Sequence, residues 1–258
     1  MLFLGKMSKF VESPNLPQRA RIVALGGKYA DILDKPLKTQ GLSPLYVPNN
    51  PDVDPRLSGH ADLSVFHAGW DRIFLAPYLR YTDFAKKLTE IGFLIEYTDI
   101  NQNKKYPFDA QLNIAAFGKH FVYGKKTAYS SIVRNLTIDE HMSGLAINQG
   151  YAKCATVVVD ENSIITADRG EAQACLEAGI DVLLVEPGHV ELPGFEYGFL
   201  GGASFKLSKN AIAFTGALDK HPDKERILDF LHERGVSPVY LTEKAVFDVG
   251  SILPLTER

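Results

Sequence analysis

The residue of this 258-residue chain with the most chemistry to offer is a cysteine. It sits in the run Gly150-Tyr151-Ala152-Lys153-Cys154-Ala155-Thr156, followed by Val157-Val158-Val159-Asp160. The run reads as a buried strand that begins on a glycine and carries a thiol at its mouth. Such a thiol is either a small core residue or a nucleophile, and both readings stand at this level. The other cysteine, Cys175, lies between Ala172 and Leu176 on a predicted apolar helix face and reads as core. His60 follows Ser58-Gly59 and reads either as a loop histidine capping backbone or as an acid/base group. His120, His141, His189, His221 and His232 show no metal-ligand spacing among themselves, although His189, on a predicted rim loop, could contact a ligand. Gly201-Gly202-Ala203-Ser204 is too short to cradle a phosphate and reads as a close approach of two backbones.

Composition narrows the partners. Lys and Arg total 28 against 31 Asp and Glu, a net charge of −3, so no global field draws the chain to nucleic acid. Lys104-Lys105 and Lys125-Lys126 are small clusters that read as solvated loops. Two cysteines build neither a disulfide framework nor a zinc ligand set, which points to a reducing compartment and no cofactor. The N-terminal run Met1–Lys6 is too short for the apolar core of a signal peptide, and no stretch is apolar over a membrane's width. The expectation is a cytoplasmic protein without a membrane partner. A hydrophobic fraction of 45% supplies a sizeable core.

The elements that must hold these residues recur. Gly41, Gly92, Gly144, Gly179 and Gly235 each follow a predicted helix and precede an apolar strand, at intervals of roughly 35 to 56 residues. Glycine just past a helix end is the expected left-handed cap, having no Cβ to clash there. Thr82 and Asp168 are predicted helix caps, Pro222 suits a first turn, and Pro36 should shorten or break the first helix. Before each helix stand two short β-like runs joined by a turn: 61–66 and 73–76, 112–117 and 121–123, 154–159 and 164–166, 205–207 and 211–215. The unit is ββαβ. The first unit supplies only Arg21–Leu25 before its helix, and the tail Asp248–Leu253 is a strand with no helix of its own. Pairing the two would complete five units and close a ring, in the way propellers remove exposed edges. Residues 1–20, with Pro14 and Pro17, read as a surface leader, and 21–258 as a single domain.

Five ββαβ units closed by a C-terminal strand resemble the pentein, or guanidine-modifying enzyme, superfamily: arginine deiminases, dimethylargininase-like hydrolases, agmatine deiminases and amidinotransferases. The resemblance implies a five-bladed α/β-propeller and a site for a small guanidino or amidino molecule. Those enzymes place a nucleophilic cysteine in a Gly-Gly-x-x-Cys-x-Ser/Thr segment near the C-terminus. Here that position reads Gly250-Ser251-Ile252-Leu253-Pro254-Leu255, without a cysteine. The spacing reappears elsewhere in the ring at Gly150 to Thr156, with Tyr151 in place of the second glycine. Counting onward from Cys154, Asp248-Val249-Gly250-Ser251 echoes the family's Glu-Gly-Gly-Asp segment, and His60-Ala61-Asp62 its His-x-Asp segment. The cyclic order of the dimethylargininase-like enzymes is kept, with the site rotated relative to the termini.

The resemblance therefore implies Cys154 as nucleophile, His60 as general acid/base, and Asp62 and Asp248 as binders of the substrate cation. A planar guanidinium wants carboxylates along its edge and a thiolate facing its carbon. A histidine then protonates the leaving amine and activates water. The implied activity is a Cys-dependent hydrolase of linear amidines, of amidinohydrolase or deiminase type, in which a homo-oligomer is compatible. The rival is a non-catalytic, partner-binding pentein of the ribosome anti-association type, which the missing terminal cysteine favours.

Overall fold

The computed structural model describes residues 9–99, 103 and 105–258; the run Met1–Lys6 and Lys104, singled out above, lie outside the described residues. The chain opens with β1 (Lys9–Phe10), β2 (Ala20–Gly26), α1 (Ala30–Thr39) and β3 (Ser43–Val47). A second unit follows as β4 (Val65–Gly69), β5 (Arg72–Leu75), α2 (Asp83–Ile91) and β6 (Leu94–Tyr97). The third is β7 (Ala115–Phe117), β8 (His120–Gly124), α3 (Ser130–Arg134) with a π-helical turn over Asn135–Asp139, and β9 (Ser143–Ile147). The fourth begins with a one-turn helix, α4 (Ala152–Ala155), before β10 (Val157–Asp160), β11 (Ser163–Thr166), α5 (Arg169–Glu177) and β12 (Asp181–Leu184). The fifth is β13 (Ser204–Ser208), β14 (Ala211–Phe214), α6 (Lys224–Glu233) and β15 (Ser237–Tyr240), and β16 (Leu253–Glu257) ends the chain.

These strands form five small open sheets. In each, the strand before the helix pairs antiparallel with one neighbour and parallel with the strand after the helix. In the first sheet the antiparallel partner of β2 is the terminal β16, so the tail completes the first unit, and β1 adds to its outer edge. Each large apolar cluster draws on two consecutive units. Ile73 and Phe84 pack with Ala24 and Leu255, Phe121 with Phe66, Val158 with Phe117, Phe214 with Val157, and Leu25 with Phe205, which links the fifth unit back to the first. Residues 9–19 cross the turns of other units: the Trp70 amide donates to the Val11 carbonyl, the Gly118 amide to Ser13 Oγ, and the Lys209 amide to the Gln18 carbonyl.

Local chemistry explains most boundaries. Thr82 Oγ1 accepts from the Ala85 amide at the start of α2, and Asp168 Oδ1 from the Glu171 amide at the start of α5. Gly41, Gly92, Gly179 and Gly235 all have positive φ at the helix exits where they were expected.

Gly144 differs. It lies inside β9, and His141, at φ 53°, makes the left-handed turn instead. Its glycine is required because a Cβ there would fall 2.6 Å from the Phe121 ring. Pro36 does not break α1, whose Leu33 and Leu37 are fully buried on either side of it and hold the helix through the missing hydrogen bond. Cys154 lies on α4 and not in a strand, which starts only at Val157. Asp62 likewise lies on a 3-10 turn, Ala61–Leu63, before β4. The tail strand starts later than its apolar run suggests, because Gly250 and Ser251 have φ of 66° and 62° and turn the chain before β16. On α5 the buried face carries Ala172 and Cys175, while Leu176 is exposed.

If β16 holds the first and second units together, Leu255→Ala should cost about 2–5 kcal/mol, the range for emptying a buried aliphatic site. Thr82→Ala removes one half-buried cap and should cost about 1 kcal/mol. Urea midpoints of the two variants would rank them. A Leu255→Ala midpoint equal to wild type would mean that β16 contributes nothing to cohesion.

Candidate active site

The segments that enter the first strand of each unit meet at one end of the sheets, and backbone hydrogen bonds link them in order. The Gly202 amide, entering unit five, donates to the Cys154 carbonyl at 2.8 Å. The Gly202 carbonyl accepts from the amides of Val249 and Ser251, which enter β16. The Gly250 carbonyl accepts from the Asp62 amide at 3.1 Å, reaching unit two. Unit three contributes Asn113, whose side-chain Oδ1 accepts from the amides of Lys153 and Cys154 at 2.7 and 3.1 Å. Two glycines make this approach feasible. A Cβ on Gly202 would lie 2.1 Å from Asp248 Oδ1, and one on Gly250, besides the positive φ, 2.1 Å from His60 Cβ.

Cys154 is 2% exposed and held on both sides. Its Sγ–H donates to Asp62 Oδ2 at 3.1 Å, and Asn113 Nδ2 donates to Sγ at 3.4 Å. Ser251 Oγ also donates to Asp62 Oδ2, at 2.8 Å, and accepts from Lys153 Nζ at 3.1 Å. Asp248 is fixed by the amides of Phe199 and Gly250, one to each oxygen, at 2.9 and 2.8 Å. One donor atom each of His60, Cys154 and Asp248 lies within 4.8 Å of the other two. Buried His60 Nε2 has no hydrogen-bond partner. A cleft of about 450 Å³ opens over these three, walled by Leu57, Tyr106, Tyr151, Leu192, Phe195 and Phe199.

Burial sets the protonation of the site. It pushes the Cys154 thiol well above its usual range, helped by the charges of Asp62 and Asp248 and by the hydrogen bond to Asp62, against the Asn113 amide. It pushes His60 down to about 4, which Asp62 opposes and Lys28 reinforces, so the imidazole is neutral at pH 7. Asp248 rises to about 6 through burial, restrained by its two amides and Lys153. Burial also lowers Lys153, against the pull of Asp62, Cys154, Asp248 and Glu171. Beneath the site Glu171, fully buried, accepts from Thr156 Oγ1 and, at 2.6 Å, from Thr166 Oγ1, and burial lifts it to about 7.

Three of the four residues expected from the sequence, Cys154, His60 and Asp248, line the cleft together. Asp62 does not line it. Its Oδ2 sits behind the sulfur, because the 3-10 turn of 61–63 directs it toward Ser251 and Cys154, and its Oδ1 is buried without a partner. His189 is also absent from the cleft; its ring lies 5.4 Å from that of His221. Sequence reasoning missed Asn113, Lys153 and Ser251. Each carried one signal: a polar residue at the entry to a predicted first strand, the position that Cys154, Asp62 and Asp248 also occupy in their units.

A metal suits the His60, Cys154 and Asp248 set poorly. The Cys154 Sγ–H is committed to Asp62 Oδ2, and both Asp248 oxygens already accept backbone amides.

Five ββαβ units with a buried cysteine, histidine and aspartate at their common end define a protein of the pentein, or guanidine-modifying enzyme, fold. Solved structures agree. The inosamine-phosphate amidinotransferase StrB1 of Streptomyces griseus aligns with a TM-score of 0.56 at 10% identity, over 95% of this chain and 96% of that one. The amidinotransferase SxtG of Microseira wollei gives 0.55 at 12%, over 93% and 96%. The C. jejuni agmatine deiminase gives 0.55 at 8%, over 100% and 99%. Among curated proteins none matches the sequence. The chain belongs to a family of unknown function, DUF6873, which matches residues 25–253. No helix among the described residues is long and apolar enough to cross a membrane.

The Glu171 environment has a measurable consequence. A carboxyl raised from about 4.5 unfolded to about 7 folded contributes stability that is complete below the unfolded value and lost as pH rises through the folded one. Urea midpoints of the wild type should therefore fall between pH 5 and 7.5 by more than those of Glu171→Gln. Equal falls would show that Glu171 does not titrate in that window.

Proposed function

We propose that this protein is a Cys-dependent hydrolase of a guanidino or amidino compound, built on a closed five-bladed α/β-propeller. The observation that carries the reading is the meeting of His60, Cys154 and Asp248 at one cleft, from three units, in the cyclic order of the dimethylargininase-like enzymes. Cys154 is the nucleophile, His60 the acid/base group, and Asp248 the carboxylate along the substrate's edge. Asp62 contributes from behind the sulfur.

In the resting site a neutral imidazole faces a protonated thiol, so ionisation awaits the substrate. A guanidinium entering beside Asp248 brings the positive charge that a thiolate needs. The thiol proton then passes to His60 as sulfur bonds to the amidino carbon. The imidazolium returns that proton to the leaving nitrogen, the carbon–nitrogen bond breaks, and ammonia or an amine departs. His60, neutral again, takes a proton from water as its oxygen attacks the amidino-thioester carbon. The carbon–sulfur bond breaks, the thiolate is reprotonated, and a urea-type or amide product leaves.

The cleft also suggests a preference in the rest of the substrate. Its described lining residues include Glu196 and Asp248 and no lysine or arginine. A substrate whose far end is apolar or cationic suits such walls, and a carboxylate there meets like charge.

An amidine affinity label followed by mass spectrometry tests the nucleophile. The expected adduct is on Cys154, with Cys175 untouched inside the α5 core; a folded protein that leaves Cys154 unmodified favours the partner-binding rival and defeats the enzyme reading. In a panel of guanidino compounds, Cys154→Ser and His60→Gln should abolish ammonia or amine release. Substrates with a carboxylate at the far end should show kcat/KM lower by about tenfold or more than amine-ended analogues. The opposite ranking would remove the proposed preference.

A further inference from the structure

Lys153 is the most unusual group in the molecule that the mechanism above leaves without a role. It is 4% exposed, and burying an ammonium is costly unless fixed partners surround it. Next to Cys154 on α4, it sends Nζ to Ser251 Oγ at 3.1 Å, whose hydroxyl donates to Asp62 Oδ2 at 2.8 Å, the same oxygen that takes the Cys154 Sγ–H at 3.1 Å. The chain runs Lys153, Ser251, Asp62, Cys154, and all four are at most 4% exposed. Ser251 holds its place at a φ of 62°, which only a minority of non-glycine residues adopt, pinned by its amide to the Gly202 carbonyl. A backbone held in that conformation to aim one hydroxyl is better explained by a fixed linkage than by packing.

We propose that Lys153 is a positioning residue that supplies, through Ser251 and Asp62, the fixed positive charge opposite the Cys154 thiolate. The proposal rests on the reading of Cys154 as the nucleophile. In many cysteine enzymes an imidazolium fills this role at rest; here His60 is neutral in the resting site and becomes an imidazolium only as it takes the thiol proton. Without Lys153, removing the thiol proton would leave a thiolate 3.1 Å from a carboxylate with no cation of the protein buried beside them. Asp62 and Asp248 act on the sulfur, and the sulfur's own charge acts on Lys153, Tyr29 and Tyr151, with Glu171 acting on Lys153 and Lys28 on His60. Among them Lys153 is the one cation whose side chain reaches the sulfur's own hydrogen-bond chain. With Asp62 and Asp248 ionised, that leaves one net negative charge before substrate arrives; an entering guanidinium neutralises it, and transfer of the thiol proton to His60 leaves the sum unchanged. The incoming cation therefore offsets Asp248, and Lys153 continues to offset Asp62.

The test reads the thiol directly. Rates of iodoacetamide modification of Cys154 across pH, followed by peptide mass, give its ionisation midpoint in the wild type, Lys153→Met and Ser251→Gly. Lys153→Met should raise the midpoint by about one pH unit or more, a tenfold or greater loss of rate at a given pH below it. Simple loosening of the site would do the reverse, moving the buried thiol down toward its ordinary value near 8.5. Ser251→Gly suits the positive φ, keeps both charges and serves where the lysine variant does not fold. With one donor to Asp62 gone, that carboxylate holds the thiol proton more tightly, so a smaller rise is expected. An unchanged or lowered midpoint in the folded variants overturns the proposal. Raised midpoints support it even if the guanidino panel shows no turnover, which would defeat the functional reading alone. Turnover with unshifted midpoints sinks the role of Lys153 and leaves that reading standing.

Discussion

The site depends on one constraint: charged and reactive groups are buried at the point where the units meet. Asp62, Lys153, Cys154 and Asp248 are nearly inaccessible to water, and each would be costly there alone. They are tolerated because backbone amides and neighbouring side chains take their hydrogen bonds. Asp248 has two amides, Asp62 a thiol and a hydroxyl, and Cys154 an asparagine amide. The exceptions are informative. His60 Nε2 and Asp62 Oδ1 are buried without partners, one beside the cleft and the other behind the sulfur. Unsatisfied buried polar atoms are uncommon in folded proteins.

The scaffold answers that constraint through repetition. Each unit brings the entry of its first strand to the same end of the sheets, so four short segments contribute one or two polar side chains each and the fifth contributes the Gly202 backbone. Close approach then requires glycine at 202 and 250, where a Cβ would displace Asp248 or His60. Pairing of β16 with β2 carries Asp248 and Ser251 to the site from the far end of the chain. Tail pairing and site assembly are thus one event.

The same burial makes the resting site unreactive. On the proposed reading, a neutral histidine and a protonated thiol do not start the reaction by themselves, and a cationic substrate would favour the thiolate. On that reading, selectivity for cations would follow from the protonation state as well as from the carboxylates. On the same reading, an apolar compound filling the aromatic walls of the cleft would leave the thiol protonated.

The sequence by itself determined the unit and its count, because helix caps, left-handed glycines and apolar runs are local signals. Thr82, Asp168, Gly92 and Gly235 behave as their types require wherever the rest of the chain lies. It also brought out Cys154, His60 and Asp248, since glycine-to-cysteine spacing and cyclic order survive in a linear string. Gly144 was misread because its role, clearance for the Phe121 ring, belongs to a neighbouring strand. Only the tertiary structure decided that Asp62 stands behind the sulfur, and that Lys153, Ser251 and Asn113 complete the network. Those contacts join residues 40 to 189 positions apart. Hydrogen-bond partners at that separation are set by how the units pack, and no local pattern encodes them.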